Sequence, residues 1–213
     1  METSDWVQLF HGAWTTLWIS GCAMMIGIPA GLVIALLREA RIPGLGAALS
    51  CYVSIGRATS LVTLVLLIFF GAPSIGLDLS PWLAAIIALA LNTTAFNAEI
   101  WRSALLSFPR EQLEAAQAAG MTKGLMLRRI ILPQIATTSL PALVNEMSLL
   151  LKSSPAVAVI GVVDLTRVTN RIAAVTYEPL PSILGACVLY MVMVGAMVWL
   201  QRFADQRARR LAM

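Results

Sequence analysis

The feature that most constrains this chain is a run of residues, 13–37, that carries no charged side chain over 25 positions. At a rise of about 1.5 Å per residue, a helix of that length crosses a hydrocarbon core about 30 Å thick. Only 12% of the 213 residues are charged and 59% are hydrophobic. This distribution predicts a polytopic membrane protein and excludes a soluble enzyme, a disordered chain and a free nucleic-acid-binding domain.

Four further segments have the length and composition of membrane spans. The sequence therefore predicts an all-α membrane protein, with five transmembrane helices in a single domain that covers residues 1–213. Residues 156–163 are apolar but too few to span, and they predict a re-entrant or surface helix. The four additional spans are residues 50–70, 82–101, 130–151 and 180–200.

The basic residues predict the orientation in the membrane. Five spans place the termini on opposite sides, and three of the fifteen basic residues, Lys152, Arg167 and Arg171, then share a side. Because cytoplasmic loops carry the excess of Lys and Arg, we expect the N-terminus outside and the C-terminus inside. The twelve on the predicted cytoplasmic side are Arg38, Arg41, Arg57, Arg102, Arg110, Lys123, Arg128, Arg129, Arg202, Arg207, Arg209 and Arg210.

The predicted cytoplasmic loop between the third and fourth spans, residues 102–129, is unusually long. It has 28 residues, whereas connections in helix bundles commonly have about 2–8. Its middle consists of strong helix formers that follow Pro109, and Gly120 is suited to end that helix. The sequence predicts a short helix beneath the membrane, with a surface suited to packing into another protein.

Seven residues in and after this loop have a distinctive spacing: Glu114-Ala115-Ala116, then Gly120 after three residues, then Ile130, Leu132 and Pro133 after nine more. They resemble the EAA motif of ABC importer permeases, in which the loop forms a coupling helix that docks on the cytoplasmic ATPase. The resemblance implies an ATPase-coupling role for Glu114, Ala115, Ala116, Gly120, Ile130, Leu132 and Pro133.

Three more segments, at 57–60, 95–102 and 140–146, resemble the permeases of the polar amino acid family. That likeness implies a type I ABC importer permease bundle of five helices, which imports a polar amino acid or related small solute by alternating access. Ser60 replaces the proline of the family pattern and Glu111 replaces its glycine. Lys152-Ser-Ser-Pro-Ala replaces Lys-Asp-Thr-Ser-Leu, so the residues at this position do not identify the solute.

The chain has no Walker pattern Gly-x-x-x-x-Gly-Lys-Ser/Thr, so the ATPase is expected to be a partner. The family resemblance implies two ATPase subunits, a second permease that is identical or a paralogue, and an extracytoplasmic solute-binding protein. ATP and Mg²⁺ would bind to the ATPase. We expect no cofactor, metal, catalytic residue or nucleic acid on this chain, and we expect it among the lipids of a bacterial inner membrane.

Ionisable side chains within spans cost roughly 2.5–3.5 kcal/mol on insertion scales and usually face a cavity or a partner. Glu146 could receive a substrate ammonium group or make a structural hydrogen bond. Lys152 could attract a carboxylate or extend to the outer surface. Arg57 and Glu99 lie near the cytoplasmic ends of neighbouring predicted spans, and we expect them to form an ion pair. Alternatively, Arg57 binds the solute carboxylate, and Ser60, Asn92 and Asn97 are nearby polar contacts.

The fourth span carries a polar stripe at steps of three and four residues, which places its members on one helical face. This face is expected to contact protein, either within the bundle or a permease dimer, or to line the solute path. The stripe comprises Gln134, Thr138, Pro141, Asn145, Ser148 and Lys152.

Two glycines in the first span, Gly27 and Gly31, have the GxxxG spacing that allows close helix packing. Other functions remain open at this stage: a permease for methionine or another non-polar solute, and, more remotely, an intramembrane enzyme or a passive channel. The sequence contains no HExxH motif, no GxSxG motif and no paired intramembrane aspartates, so none of these patterns supports an enzyme.

Overall fold

A computed structural model describes residues 3–40 and 42–211. All regular elements in these ranges are helical. Arg41 lies outside the described residues, as do the side chains of Arg207, Arg209 and Arg210. The α-helices are α1 (Thr3–Glu39), α2 (Leu45–Ala58), α3 (Leu61–Gly71), α4 (Pro81–Leu106), α5 (Arg110–Ala118), α6 (Lys123–Met126), α7 (Leu132–Ser153), α8 (Leu165–Thr176) and α9 (Pro179–Leu211).

The described residues contain four helical segments that are long and apolar enough to cross a membrane. The bent pair α2–α3 makes a fifth if it counts as one span. The predicted all-α bundle is therefore confirmed. The four segments are Thr3–Glu39, Pro81–Leu106, Lys123–Ile160 and Pro179–Phe203.

The second predicted span, residues 50–70, is not one straight helix. The α2 and α3 axes differ by 110°, because Thr59 and Ser60 have extended backbone conformations with ψ of 134°. The Thr59 hydroxyl donates to the Ile55 carbonyl at 2.7 Å and satisfies the end of α2. The break therefore coincides with the position at which Ser60 replaces proline.

The long loop at 102–129, which the sequence places on the cytoplasmic side, is mostly helical. The α4 helix continues to Leu106, and helical structure resumes at Lys123, so only residues 107–109 and 119–122 lie between helices. A π-helix, Leu127–Ile131, joins α6 to α7. The predicted helix at 111–119 is present as α5, and Gly120 follows it with a φ of 75°, a conformation that favours glycine.

The apolar segment at 156–163 is not a separate re-entrant or surface helix, because residues 156–160 continue the α7 segment, which runs to Ile160. A 3-10 helix, Ser154–Ile160, packs against α3, and Val157 is 1% exposed. The sequence analysis missed α8 altogether. Asp164 caps this helix, since its Oδ1 accepts a hydrogen bond from the Arg167 N–H at 2.9 Å. Burial raises the pKa of the Asp164 carboxyl, and backbone N–H groups at Arg167 and Thr166 partly offset this.

Among the described residues, α1 and α4 form the most extensive helix contact, and the GxxxG spacing allows their close approach. A Cβ placed on Gly31 would lie 2.7 Å from the Asn97 Cβ, and one on Gly27 would lie 2.3 Å from the Thr93 Cγ2. One turn further, the Trp101 indole donates to the Ile28 carbonyl at 3.1 Å. The prediction of close packing at these glycines is confirmed.

Candidate solute path and coupling surface

A cavity of about 540 Å³ lies between the end of α2, the second half of α4 and the face of α7. Four of the nine predicted path residues line it: Arg57, Glu99, Asn145 and Glu146. The remaining lining residues are Phe96, Ile100, Ser103, Ala104, Ser107, Thr138, Ser139 and Ala142. The three segments that resemble polar amino acid permeases thus contribute to one cavity.

Two ionisable side chains of opposite type, Arg57 and Glu146, line this cavity. The Arg57 guanidinium lies 5.7 Å from the centroid of the Phe96 ring, an arrangement that stabilises a cation. The Glu146 carboxyl group is buried and lies near Thr93. Since Arg57 is exposed at the break after α2, a solute in the cavity has access to both charges.

The predicted ion pair between Arg57 and Glu99 is wrong. Glu99 Oε2 instead accepts from Arg38 Nη1 at 3.1 Å, and Glu99 Oε1 accepts from Arg102. Arg38 lies in the last turn of α1, and Arg102 is one turn beyond Glu99 on α4. Both carboxylate oxygens of Glu99 therefore have partners. Arg57 instead lies over the Phe96 ring and lines the same cavity as Glu146.

Three other path candidates make contacts within the bundle. Asn92 donates to the Gly56 carbonyl at 3.2 Å and ties α4 to α2. Asn97 donates to Thr93 Oγ1 at 3.2 Å within α4. The buried Ser148 hydroxyl donates to the Val144 carbonyl at 3.2 Å within α7.

The last two path candidates lie away from the 540 Å³ cavity. Ser60 is exposed at the break between α2 and α3. Lys152 is exposed and lines a second groove of about 560 Å³ along α9, together with Tyr190 and Arg202. The contacts of Lys152 therefore belong to the α7–α9 side of the molecule.

The polar stripe of α7 is largely uncovered in the single chain. Gln134, Thr138, Asn145 and Lys152 are exposed, and only Ser148 is buried. Such a surface is costly against lipid tails. It therefore requires water or a second protein chain beside it in the membrane.

The residues of the predicted coupling signature lie mainly in three structural elements: α5, the π-helix and α7. Glu114 and Ala115 are exposed on α5, whereas Ala116 is buried with 6% exposure. Ile130 lies in the π-helix, and Leu132 and Pro133 form the first turn of α7. The signature thus supplies an exposed helix and the start of a cavity-lining helix.

The sequence analysis missed the partners of Glu99 and the aromatic contact of Arg57. Arg102 follows Glu99 by three residues, a spacing at which helical charges meet, so this pair was available from the sequence. Arg38 and Phe96 come into place only when α1 and α2 pack against α4.

A family model described as "Binding-protein-dependent transport system inner membrane component" matches residues 27–210. The chain belongs to this family. It is an ABC transporter permease subunit rather than an enzyme, and ATP hydrolysis is performed by a separate subunit. The permease is embedded in the inner membrane, consistent with its apolar helices.

Curated relatives of the permease cover most of its length. It is 34% identical over 187 residues to the nopaline transport system permease protein NocM of Agrobacterium fabrum, across 83% of this chain and 78% of NocM. It is 31% identical over 202 residues to the arginine transport system permease protein ArtQ of Bacillus subtilis, across 94% and 92% of the two chains. The L-cystine permease TcyB of Bacillus subtilis is 31% identical over 211 residues, across 99% of this chain and 90% of TcyB.

Solved structures share the fold. The crystal structure of an amino acid ABC transporter with histidines matches at a TM-score of 0.87 and 34% identity, across 94% of each chain. An inward-facing structure of the MetNI methionine ABC transporter matches at a TM-score of 0.82 across 99% of each chain. The latter is only 23% identical and shows the shared fold alone.

Proposed function

We propose that this permease imports a polar amino acid or a derivative of one, through the cavity between α2, α4 and α7. The observation that carries the proposal is that Arg57 and the buried Glu146 line the same cavity. A zwitterionic solute carries a carboxylate and an ammonium group that match these two charges. The relatives named for nopaline, arginine and cystine transport support the same solute class.

In this mechanism, Arg57 binds the solute carboxylate and Glu146 receives the ammonium group. Asn145 supplies an amide at the same cavity wall, next to Glu146. Charged interactions strengthen where water is excluded, so closing the cavity around the solute favours binding. Opening the opposite side lets water back in and weakens both contacts, which releases the solute.

The exposed polar face of α7 supports a dimeric arrangement in which a second permease covers that face. Two ATPase subunits bind below, with ATP and Mg²⁺ held by them, and an extracytoplasmic solute-binding protein delivers the solute. The coupling residues on α5 receive the motion of the ATPases. The basic-residue distribution supports an N-terminus outside and a C-terminus inside. A fluorescent protein fused to the C-terminus should therefore fold in the cytoplasm and fluoresce. A fusion that inserts fully but does not fluoresce would indicate the opposite orientation.

Uptake into proteoliposomes that contain the assembled complex tests the proposal, with arginine, glutamine, cystine, nopaline and methionine as separate solutes. We expect uptake of at least one of the first four and little of methionine. Arg57→Gln and Glu146→Gln should each reduce that uptake at least tenfold, with Arg171→Gln, on the exposed face of α8, as a charge-matched control. Full uptake by Arg57→Gln in an assembled complex would exclude the carboxylate role.

A further inference from the structure

The coupling helix α5 is joined to the rest of the chain by one conspicuous polar contact. Gln134 Nε2, in the first turn of α7, donates to Gln112 Oε1, in the first turn of α5, at 2.9 Å. Among the described residues, no other side-chain hydrogen bond connects α5 to another element. Both glutamines are exposed, so the pair is not explained by satisfying buried amides.

The covalent route from α5 to α7 is poorly suited to transmitting motion. It passes through the turn at Gly120, where φ is 75°, and then through the π-helix Leu127–Ile131. Turns and π-helical segments are places where a chain bends. A displacement of α5 that followed the backbone alone would be partly absorbed before it reached α7.

The amide pair bypasses this route, since it connects two points that are 22 residues apart in the sequence. Gln134 is also one turn from the cavity, because the Thr138 hydroxyl, which lines the cavity, donates to the Gln134 carbonyl at 3.1 Å. From Gln134, α7 reaches the cavity at Thr138 and Ser139 before Pro141, and beyond this proline it continues to Glu146, about 18 Å from Gln134 along the axis.

We propose that Gln112 and Gln134 are positioning residues that tie α5 directly to α7, so that a movement of α5 displaces the cavity wall. This inference rests on the proposed coupling function of α5. An amide pair suits the task because each amide both donates and accepts, and the bond can re-form as the helices shift. The alternative is that Gln112 contacts only the ATPase and Gln134 has no part in coupling.

The test measures uptake and ATP hydrolysis separately in proteoliposomes that contain the complete complex. The solute is whichever of arginine, glutamine, cystine and nopaline the unmodified complex takes up fastest. Gln112→Ala and Gln134→Ala should each lower the amount of solute moved per ATP by about two- to tenfold, the range set by one neutral hydrogen bond. Gln117→Ala is the matched control, because Gln117 is an exposed glutamine on the same helix with no side-chain bond to α7.

A double-mutant cycle separates a shared contact from two independent effects. If the two amides act as a pair, the double alanine variant should be no worse than either single variant. Replacing the pair by Gln112→Glu with Gln134→Lys should restore the ratio, since an ion pair substitutes for the hydrogen bond.

Additive losses, or a loss with Gln112→Ala but not with Gln134→Ala, would overturn the inference. Failure of the ion pair to restore the ratio would also overturn it. Failure of the proposed function is distinguishable, because the unmodified complex would then show no uptake linked to ATP hydrolysis.

Discussion

Gly31→Ala tests the α1–α4 contact that supports the cavity-lining helix. The added Cβ would lie 2.7 Å from the Asn97 Cβ and 2.8 Å from the Ala98 backbone nitrogen, whereas ordinary contacts begin at 3.4 Å. The shortest contact must therefore lengthen by about 0.7 Å. Because this contact is with atoms at or on the backbone, rotating a side chain does not relieve it, and α1 and α4 must separate.

Overpacking of this kind costs typically 1–3 kcal/mol. Replacing glycine by alanine inside a helix also gains about 0.8–1 kcal/mol in helix propensity. Gly21→Ala in the same helix is the matched control, since a Cβ there meets no atom within 4 Å. The propensity gain is common to both variants, so Gly31→Ala should be less stable than Gly21→Ala by about 1–3 kcal/mol.

The assay is thermal unfolding of the purified variants under identical conditions. For a chain of this size, each kcal/mol corresponds to about 2–4 °C in the melting temperature. Gly21→Ala should melt at or above the temperature of the unmodified protein, and Gly31→Ala should melt several degrees below Gly21→Ala. Equal melting temperatures for the two variants would refute the close approach of α1 to α4.

Three further changes have expected outcomes. Glu99→Gln should lower the melting temperature more than Arg102→Ala does. The reason is that Glu99→Gln leaves the guanidinium groups of Arg38 and Arg102 side by side without their anion. A larger drop in melting temperature with Arg102→Ala would contradict the shared ion pair. Asp164→Ala should destabilise α8 by about 1 kcal/mol through loss of its cap, whereas Asp164→Asn keeps a capping oxygen. Since burial raises the pKa of Asp164, the unmodified protein should lose stability as pH rises through that pKa, and Asp164→Asn should lack this dependence in melting curves taken across pH. Gly120→Ala places a residue with a Cβ at a φ of 75°, which strains the turn. This variant should insert normally but move less solute per ATP hydrolysed. An unchanged amount of solute per ATP would show that this turn is not critical for coupling.

Helix α5, the proposed coupling helix, was the most predictable element of the candidate sites because its signals are local. Pro109, a run of helix-forming residues and Gly120 set the beginning and end of α5 within one or two residues. The pairing of the charged residues was much less predictable, because it depends on contacts between distant segments. Their membership of spans was evident from hydropathy, but the pairing of Glu99 with Arg38 joins residues 61 positions apart and depends on how α1 packs against α4.

Segments that contradict a simple pattern were the least predictable. Residues 50–70 are apolar apart from Arg57 and a few Ser and Thr residues, so hydropathy favours one span, although two extended residues divide it into helices that differ in direction by 110°. The α8 helix was missed because it is short and amphipathic, with Arg167 and Arg171 on its exposed side. A hydropathy window averages these faces, whereas the folded chain buries only one of them.

The sequence by itself determined that this chain is a helical membrane protein with an EAA coupling segment, because span length, charge distribution and motif spacing are properties of contiguous residues. Only the tertiary structure decided which ionisable residues share a cavity. Arg57 and Glu146 lie 89 positions apart, and they line one cavity because α2 and α7 both pack against α4. The approach of α2 to α4 is close, since a Cβ on Gly56 would lie 2.8 Å from the Ala95 Cβ. Contacts of that kind depend on helix packing, which a linear pattern does not specify.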